Sequence, residues 1–526
     1  MPPEDKHSTL IQALQQAGGG QPGQPAGSME VIETHISWVL LKGDLAYKIK
    51  KPVDLGFLDF STLERRRFFC DEEIRLNSRL APGVYLGVVP ITGTEDAPRL
   101  NGEGQAIEYA VKMRRFNEHA LLSGRLDQLD AALIESIADQ VSAFHARIPT
   151  VDRAEPYGRP EAVIGPMEEN FRQIRRLMDD ARELERIEAV VRWTRERHAA
   201  LGPVLAERRE GGFIRECHGD MHLGNMVAEG GEVIIFDGIE FNPALRWIDT
   251  MSEVAFLTMD LDEKGLPALG RRFLDRYLER TGDYAGLRVL RFYQVYRAMV
   301  RAKVAAIRLG QEDLSDDQRS SVMKDYRGYV GLAEDYTRPP GPALVITHGV
   351  SGSGKSLASR ALVERHPAVR VRSDVERKRL AGLDARDRSG SRTGEGLYSR
   401  AMTERTYARL LELCGLILDA GLTAVADATF LERGRRALFA RLARERGVPF
   451  LILDVRGDDN LFRRRVAERE RTGRDPSEAT VEVLEQQLRS REPLTPEEAD
   501  AAVPVPAEGA FPAQRVRVRL GGGAGA

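Results

Sequence analysis

Two short stretches of the chain hold residue types at spacings suited to phosphate chemistry. The first, Gly349-Val350-Ser351-Gly352-Ser353-Gly354-Lys355-Ser356, satisfies GxxxxGK[ST] at every fixed position. It follows the apolar run ALVITH and leads into helical pattern from Leu357 to Glu364, the setting such a loop requires. Glycines let backbone N–H groups curl around phosphate oxygens, and the start of a helix adds favourable potential. The backbone of Gly349, Ser351, Gly352, Ser353, Gly354 and Leu357 is therefore expected to cradle a nucleotide. Lys355 would reach its β- and γ-phosphates, and the Ser356 hydroxyl would ligate Mg2+. Two later strand-like runs end in acids, Asp374 after VRVRS and Asp427 after LTAVA. Ligands gather beyond the carboxyl ends of parallel strands. Asp374 is thus a candidate to take a proton from an acceptor hydroxyl or to hold Mg2+ through water, and Asp427 to serve the metal. The plainer alternative for either acid is a helix cap. Arg463, Arg464, Arg465, Arg469, Arg471 and Arg474 crowd a later helix and loop. They read either as a solvated basic face or as a lid whose Arg469 and Arg474 close on the transferring phosphate.

The second stretch is Cys217-His218-Gly219-Asp220-Met221-His222-Leu223-Gly224-Asn225, and Asp237 follows at the end of VIIFD. An acid, four residues, an asparagine, and a further acid ending the next strand are the spacing of a phosphoryl-transfer loop. Asp220 would accept the acceptor's proton, while Asn225 and Asp237 offer hard oxygen ligands to Mg2+. The alternative is a hydrogen-bonded turn. His218 and His222 stand at i, i+4, but the segment is too rich in Gly and Asp for a zinc-binding helix, so hydrogen-bonded support of the loop is expected of them. Upstream, Lys48 in Ala46-Tyr47-Lys48 suits a nucleotide clamp, and Lys50 on the same strand face is the alternative. Glu73 in DEEIRLNSRL would orient that lysine, with Glu72 in reserve. Met113, ending IEYAVKM, sits where a hinge between two lobes would meet adenine.

These groups need elements to hold them. VIETHISWVLL and LAYKIKKPV, separated by Lys42-Gly43-Asp44, predict a hairpin. Helical pattern follows near 61–80, and strands near 85–91 and 106–113. Helical periodicity then dominates to about residue 336, broken by a strand-and-loop region near 213–242. That is a small β-rich unit followed by a large helical one. Thr337-Arg338-Pro339-Pro340-Gly341-Pro342 cannot continue a helix and is read as a linker. Beyond it, strands alternating with helices predict a parallel sheet with helices on both faces. The expected organisation is a flexible lead over 1–28, a domain at 29–336, the linker at 337–342, a second domain at 343–508 and a tail at 509–526. With 526 residues the chain is too long for one ordinary core. Its net charge of −3 gives no global attraction to nucleic acid. Three widely separated cysteines argue against a disulfide framework, and no apolar run reaches membrane-spanning length. With no signal-peptide pattern at the start, a cytoplasmic location is expected.

The region 343–508 resembles the small P-loop kinases, the group of gluconate kinase, zeta toxins and the kinase half of polynucleotide kinases. GVSGSGKS, RSDVERKRL, ADATFLERGRR and RTGRDPSEAT carry the likeness. It implies that Asp374 and Arg377 meet the acceptor. The region 29–336 resembles aminoglycoside phosphotransferases and related kinase-like small-molecule phosphotransferases, on HGDMHLGN, YKIKKPV, FLDFSTLERRRFF and FDGIEFN. Of that family's Gly-rich phosphate loop before Lys48, only the turn Lys42-Gly43-Asp44 is present. Together the resemblances imply an α/β chain of two domains: a bilobal protein-kinase-like domain, then a P-loop NTPase domain. They imply ATP and Mg2+ at two sites and a small-molecule acceptor. A regulatory ATPase with a sensing domain is one alternative. A nucleic-acid end kinase is another, and the Arg463–Arg474 segment would then be its basic groove.

Overall fold

The computed structural model describes residues 3–16, 29–56, 58–117, 120–311, 314–384, 387, 396–472 and 479–521. The chain forms two compact units. One comprises 1–133, 143–163 and 205–260, and the other 134–142, 164–204 and 261–526.

The first unit is built on a six-stranded antiparallel sheet of β1 (Glu30–Glu33), β2 (Ser37–Lys42), β3 (Leu45–Lys50), β4 (Tyr85–Thr94), β5 (Ala97–Leu100) and β6 (Ala106–Arg114), in the order β1-β2-β3-β6-β4-β5. The predicted hairpin is β2–β3. Lys42 pairs with Leu45 across a two-residue turn whose first central residue, Gly43, has φ +56°. A glycine there matches the strands' twist without strain. The helix Leu63–Asn77, capped by the Thr62 side chain, packs on β4 and β6 and carries Glu73. Two short antiparallel pairs follow: β7 (Ile214–Glu216) with β10 (Trp247–Asp249), and the hairpin of β8 (Met226–Glu229) with β9 (Glu232–Ile235).

The expected flexible lead is corrected over its first part, because Pro3–Gln16 is a helix. Its Leu10, Ile11 and Leu14 share one face by helical spacing and are buried with Leu40, Ile49, Ile91 and Ala110 of the sheet. The Gly/Pro tract on which that expectation rested lies at 17–28, outside the described residues.

The second unit contains long helices, among them Pro267–Thr281, Leu287–Leu309 and Asp316–Thr337, and a five-stranded parallel sheet. Its strands are β11 (Leu344–His348), β12 (Ala368–Arg372), β13 (Thr423–Asp427), β14 (Phe450–Arg456) and β15 (Ala502–Pro506), in the order β12-β13-β11-β14-β15. The near-continuous apolar runs ALVIT and FLILDV suit strands buried on both faces. The edge strand β15, AVPVP, is absent from the strands expected above. Its prolines mask the strand signal, yet an edge position accommodates them. The tail is also corrected: residues Ala513–Arg519 are helical, and Val516 and Leu520 enter the core beneath the sheet. The stretch 338–342 is non-helical, and its residues 338–341 are exposed, but the compact unit continues across it.

Candidate active sites

In the first unit, β3 and the helix Leu63–Asn77 bring Lys48 and Glu73 together. Lys48 Nζ donates to Glu73 Oε1 at 2.9 Å and to Asp237 Oδ1 at 2.7 Å. Lys50, on the same strand face, donates to Glu73 Oε2 at 2.6 Å and also pairs with Glu240. Both lysines considered from the sequence therefore share Glu73. The reserve residue Glu72 faces elsewhere, bonding Arg75 and Arg246. Burial alone would raise the Glu73 carboxyl, but Lys48 and Lys50 bring it down to about 2. Burial opposes the charge on Lys48, yet Asp237 and Glu73 hold its ammonium well above its usual value. Glu240 is pushed up by burial despite Lys50.

Asp237 follows β9 with φ +62°, a left-handed conformation uncommon outside glycine. Its N–H donates to the Tyr85 hydroxyl at 3.1 Å, and its side chain stays 47% exposed. The turn thus aims the carboxylate outward rather than into the hairpin. Asn225 Nδ2 donates to the Asp220 carbonyl at 2.9 Å and to Asp220 Oδ2 at 3.0 Å. The loop carrying both is fixed from below: Gly219 N–H donates to Glu253 Oε1 at 2.7 Å, and Leu223 N–H to Asp260 Oδ2 at 2.9 Å. Gly219 has φ +89°, and a Cβ there would lie 2.8 Å from the Leu245 carbonyl, so the loop can pass only as glycine.

His218 accepts from Asp220 N–H at Nδ1 and meets the Phe236 carbonyl at Nε2, 2.9 Å away. Those partners require a neutral ring protonated at Nε2, in keeping with the burial that lowers its pKa. His222 accepts from Gly224 N–H at Nδ1 and places Nε2 3.4 Å from Asp220 Oδ2. Met113 on β6 pairs with Ala46 and Tyr85 and packs beside Cys70 and Val111. Sequence reasoning missed Glu253 and Asp260, which anchor the loop from a helix with no motif of its own. It also missed Glu240, which lies within the quoted FDGIEFN.

In the second unit, β11 runs into the Gly-rich loop and the helix Lys355–Arg365. Gly352 has φ +77°, and a Cβ would approach the Phe462 carbonyl at 2.8 Å. A cleft of about 910 Å3 opens here. Its walls bring together Lys355, Ser356, Asp374, Arg377, Asp427 and Arg469, residues drawn from positions 355 to 469 of the sequence. Ser351, Gly352, Gly354 and Leu357 also line it. Gly349 and Ser353 lie within the loop; Gly349 has φ +146°, and Ser353 is fully buried. Lys355 Nζ donates to the Val350 carbonyl at 2.7 Å. Asp427, nearly buried, accepts from Ser359 Oγ at 3.0 Å. Arg377 lies 3.6 Å from Asp374 and stacks over Tyr398. Arg469 donates to the Ala479 carbonyl at 3.1 Å, whereas Arg474 lies outside the described residues.

Two residues of later helices touch the loop directly. Gln487 Oε1 accepts from Ser351 N–H at 2.7 Å, and Arg465 Nη1 reaches the Ser353 carbonyl at 3.5 Å. Gln487 has no local signal and depends on how its helix folds back over the sheet, whereas Arg465 belongs to the arginine cluster already singled out in the sequence.

Among the described residues no helix is long and apolar enough to cross a membrane. A family model described as "Phosphotransferase enzyme family" matches residues 70–293, and one described as "AAA domain" matches 344–494. Uncharacterized proteins of Mycobacterium tuberculosis (strain H37Rv) and Mycobacterium bovis are each 31% identical to the chain over 418 residues, covering 79% of it and 81% of each relative. A choline/ethanolamine kinase family structure from Mesorhizobium loti aligns with 62% of the chain and 95% of its own, at 13% identity and TM-score 0.39. A gluconokinase from Sinorhizobium meliloti aligns with 35% of the chain and 93% of its own, at 21% identity and TM-score 0.24. The chain belongs to the family of these mycobacterial proteins and is an ATP-dependent kinase, with a phosphotransferase enzyme family domain followed by a P-loop kinase-like AAA domain.

Proposed function

We propose that both sites bind Mg2+–ATP and that each passes the γ-phosphoryl group to a hydroxyl of a small-molecule acceptor. The observation that carries this reading is the set Lys48, Glu73, Asp220, Asn225 and Asp237, joined by direct side-chain hydrogen bonds into one lysine with two acids and one acid–amide pair. In the first site Lys48, held by Glu73, would meet the nucleotide's phosphates. Met113 would lie beside its base. The exposed carboxylate of Asp237 and the amide oxygen of Asn225 are hard donors of the kind Mg2+ takes. Mg2+, when bound, would neutralise charge on the phosphates. Asp220 would accept the proton as the acceptor oxygen bonds to the γ-phosphorus. The bond from that phosphorus to the bridging oxygen breaks, and ADP leaves with the electron pair.

In the second site the Gly-rich loop and Lys355 would hold the phosphates, and Ser356 and Asp427 the metal. Asp374 would take the acceptor's proton, Arg377 would meet the acceptor, and Arg469 would face the transferring group. The three free buried cysteines and the demand for ATP favour a cytoplasmic setting.

The test is an acceptor screen with γ-labelled ATP, covering sugars, sugar acids, amino alcohols and oligonucleotides. It is run on the full chain, on Asp220→Asn and on Lys355→Ala. Label transferred to one acceptor and lost in Asp220→Asn, and to another and lost in Lys355→Ala, is the expected result. ATP hydrolysis that no acceptor stimulates would replace the proposal with a regulatory ATPase. Transfer only to oligonucleotide ends would replace the small-molecule acceptor of the second site.

A further inference from the structure

The acid Asp427 at the end of β13 is not alone in its pocket. Its Oδ2 lies 3.8 Å from Arg370 Nη1 and 3.9 Å from Arg372 Nε, both on the neighbouring strand β12. These separations are too long for hydrogen bonds, yet attraction between buried charges at that range is strong. Arg370 Nη1 also reaches the Ser356 carbonyl at 3.4 Å, but both arginines meet acids on the opposite side. Arg370 Nη2 donates to Asp275 Oδ2 at 2.7 Å and to Glu279 Oε1 at 3.1 Å, and Arg372 Nη1 reaches Glu279 Oε1 at 3.5 Å. All five groups are less than a tenth exposed. Burial would discharge Arg370, but Asp275, Glu279 and Asp427 together hold its pKa above the usual guanidinium value. Asp275 and Glu279 sit on the helix Pro267–Thr281, which precedes the 337–342 stretch in sequence and belongs to the same compact unit as the parallel sheet.

We infer that Asp275 and Glu279 are positioning residues of the P-loop site: they hold Arg370 and Arg372 off Asp427 and so keep its carboxylate available to a divalent cation. The inference rests on the reading of Asp427 as a metal ligand. Its physical content is a partition of charge. Arg370 and Arg372 stand between Asp427 and the pair Asp275 and Glu279, the last also met by the more exposed Arg276 at 3.5 Å, and removing one acid from the far side sends a guanidinium to Asp427. A cation then has to compete with a fixed positive charge. The P-loop site would thus be completed by acids from the helical segment that precedes residues 337–342.

The experiment uses the full chain carrying Lys48→Ala, so that nucleotide binding reports on the P-loop site. Fluorescent N-methylanthraniloyl-ATP is titrated in EDTA and at graded Mg2+, for the parent and for Asp275→Asn, Glu279→Gln and Asp275→Asn/Arg370→Gln. Binding in EDTA serves as the control for an intact cradle. Each single variant is expected to raise the Mg2+ concentration needed for half of the Mg2+-dependent gain in affinity by roughly tenfold, the scale seen when groups behind a metal ligand are removed. The double variant, in which the stray guanidinium is gone, is expected to recover most of that loss. A merely structural role would leave the double variant worse than the single.

Single variants with the parent's Mg2+ requirement, or a double variant with no recovery, overturn the inference. If a single variant loses its EDTA binding, recovery in the double variant decides alone. Parent binding that depends on Lys355 but not on Mg2+ overturns the reading of Asp427 and the inference with it, while leaving the nucleotide assignment standing.

Discussion

Replacing Asp220 by Asn tests whether this carboxylate is a base or a brace. The substitution keeps shape and removes charge. Asn225 Nδ2 has two acceptors on Asp220, the backbone carbonyl at 2.9 Å and Oδ2 at 3.0 Å. The first is untouched, and an amide oxygen can replace the second. The loop's anchors, Gly219 to Glu253 and Leu223 to Asp260, are also untouched. Stability should therefore change by less than about 1 kcal/mol, the net worth of one hydrogen bond. Transfer should fall much further, because loss of a general base costs about 10²–10⁴ in rate, or about 3–5 kcal/mol of barrier. Asp237→Asn should fail differently. It removes the charge that Lys48 meets at 2.7 Å, so Mg2+-dependent nucleotide binding should weaken along with the chemistry. The assay is single-turnover transfer from labelled ATP to the acceptor that the screen returns, in full chains carrying Lys355→Ala, beside nucleotide titrations in Mg2+ and in EDTA. Transfer by Asp220→Asn within tenfold of its parent would refute the base assignment. So would a loss of Mg2+–nucleotide binding equal to that of Asp237→Asn.

Three further expectations concern the second unit. Lys355→Ala, measured in a chain carrying Lys48→Ala, should abolish ATP turnover while shifting urea-unfolding stability by no more than about 1 kcal/mol, because the side chain opens a helix at the wall of the cleft and packs no core. Asp262 is raised by burial from 3.8 to about 6 although the Tyr336 hydroxyl donates to it. A carboxyl raised on folding contributes stability below its free value and loses it as pH rises through about 6, a difference of about 3 kcal/mol. Asp262→Asn should therefore flatten the urea-unfolding profile between pH 4 and pH 8, and an unchanged slope would count against the burial argument. Limited proteolysis should cut within the exposed residues 338–341, yet the products should co-elute on gel filtration. Arg271 bonds the Val363 and Glu364 carbonyls, and Arg291 the Gly421 carbonyl, across the cut. Products that separate without denaturant would show these contacts to be weak.

Local patterns made much of this protein legible. The β2–β3 hairpin followed from alternating β-branched residues around a glycine turn, and four of the five parallel strands from apolar runs of strand length. Where expectation failed, a local feature pointed the wrong way. Gly and Pro near the start drew attention from the amphipathic turn of Leu10, Ile11 and Leu14, and the prolines of AVPVP hid an edge strand. The Gly/Ala-rich end likewise hid Val516 and Leu520 in the core.

The sequence by itself determined the chemistry available at each site, because that chemistry lives in contiguous signatures. A Gly-rich loop needs neighbouring residues to make one phosphate cradle. An acid and an asparagine five apart need only one loop to meet. What it left open were choices between near equals and partners far along the chain. Lys48 and Lys50 share a strand face, and only the fold shows both reaching Glu73 while Lys48 alone meets Asp237. Gln487 on the phosphate loop, Glu253 beneath Gly219, and Asp275 and Glu279 behind Arg370 belong to ordinary helices with no motif. The reason is that a buried polar group must be satisfied by whatever packing brings within about 3 Å. Packing is a property of the whole folded chain, to which residues a hundred positions apart contribute as readily as neighbours.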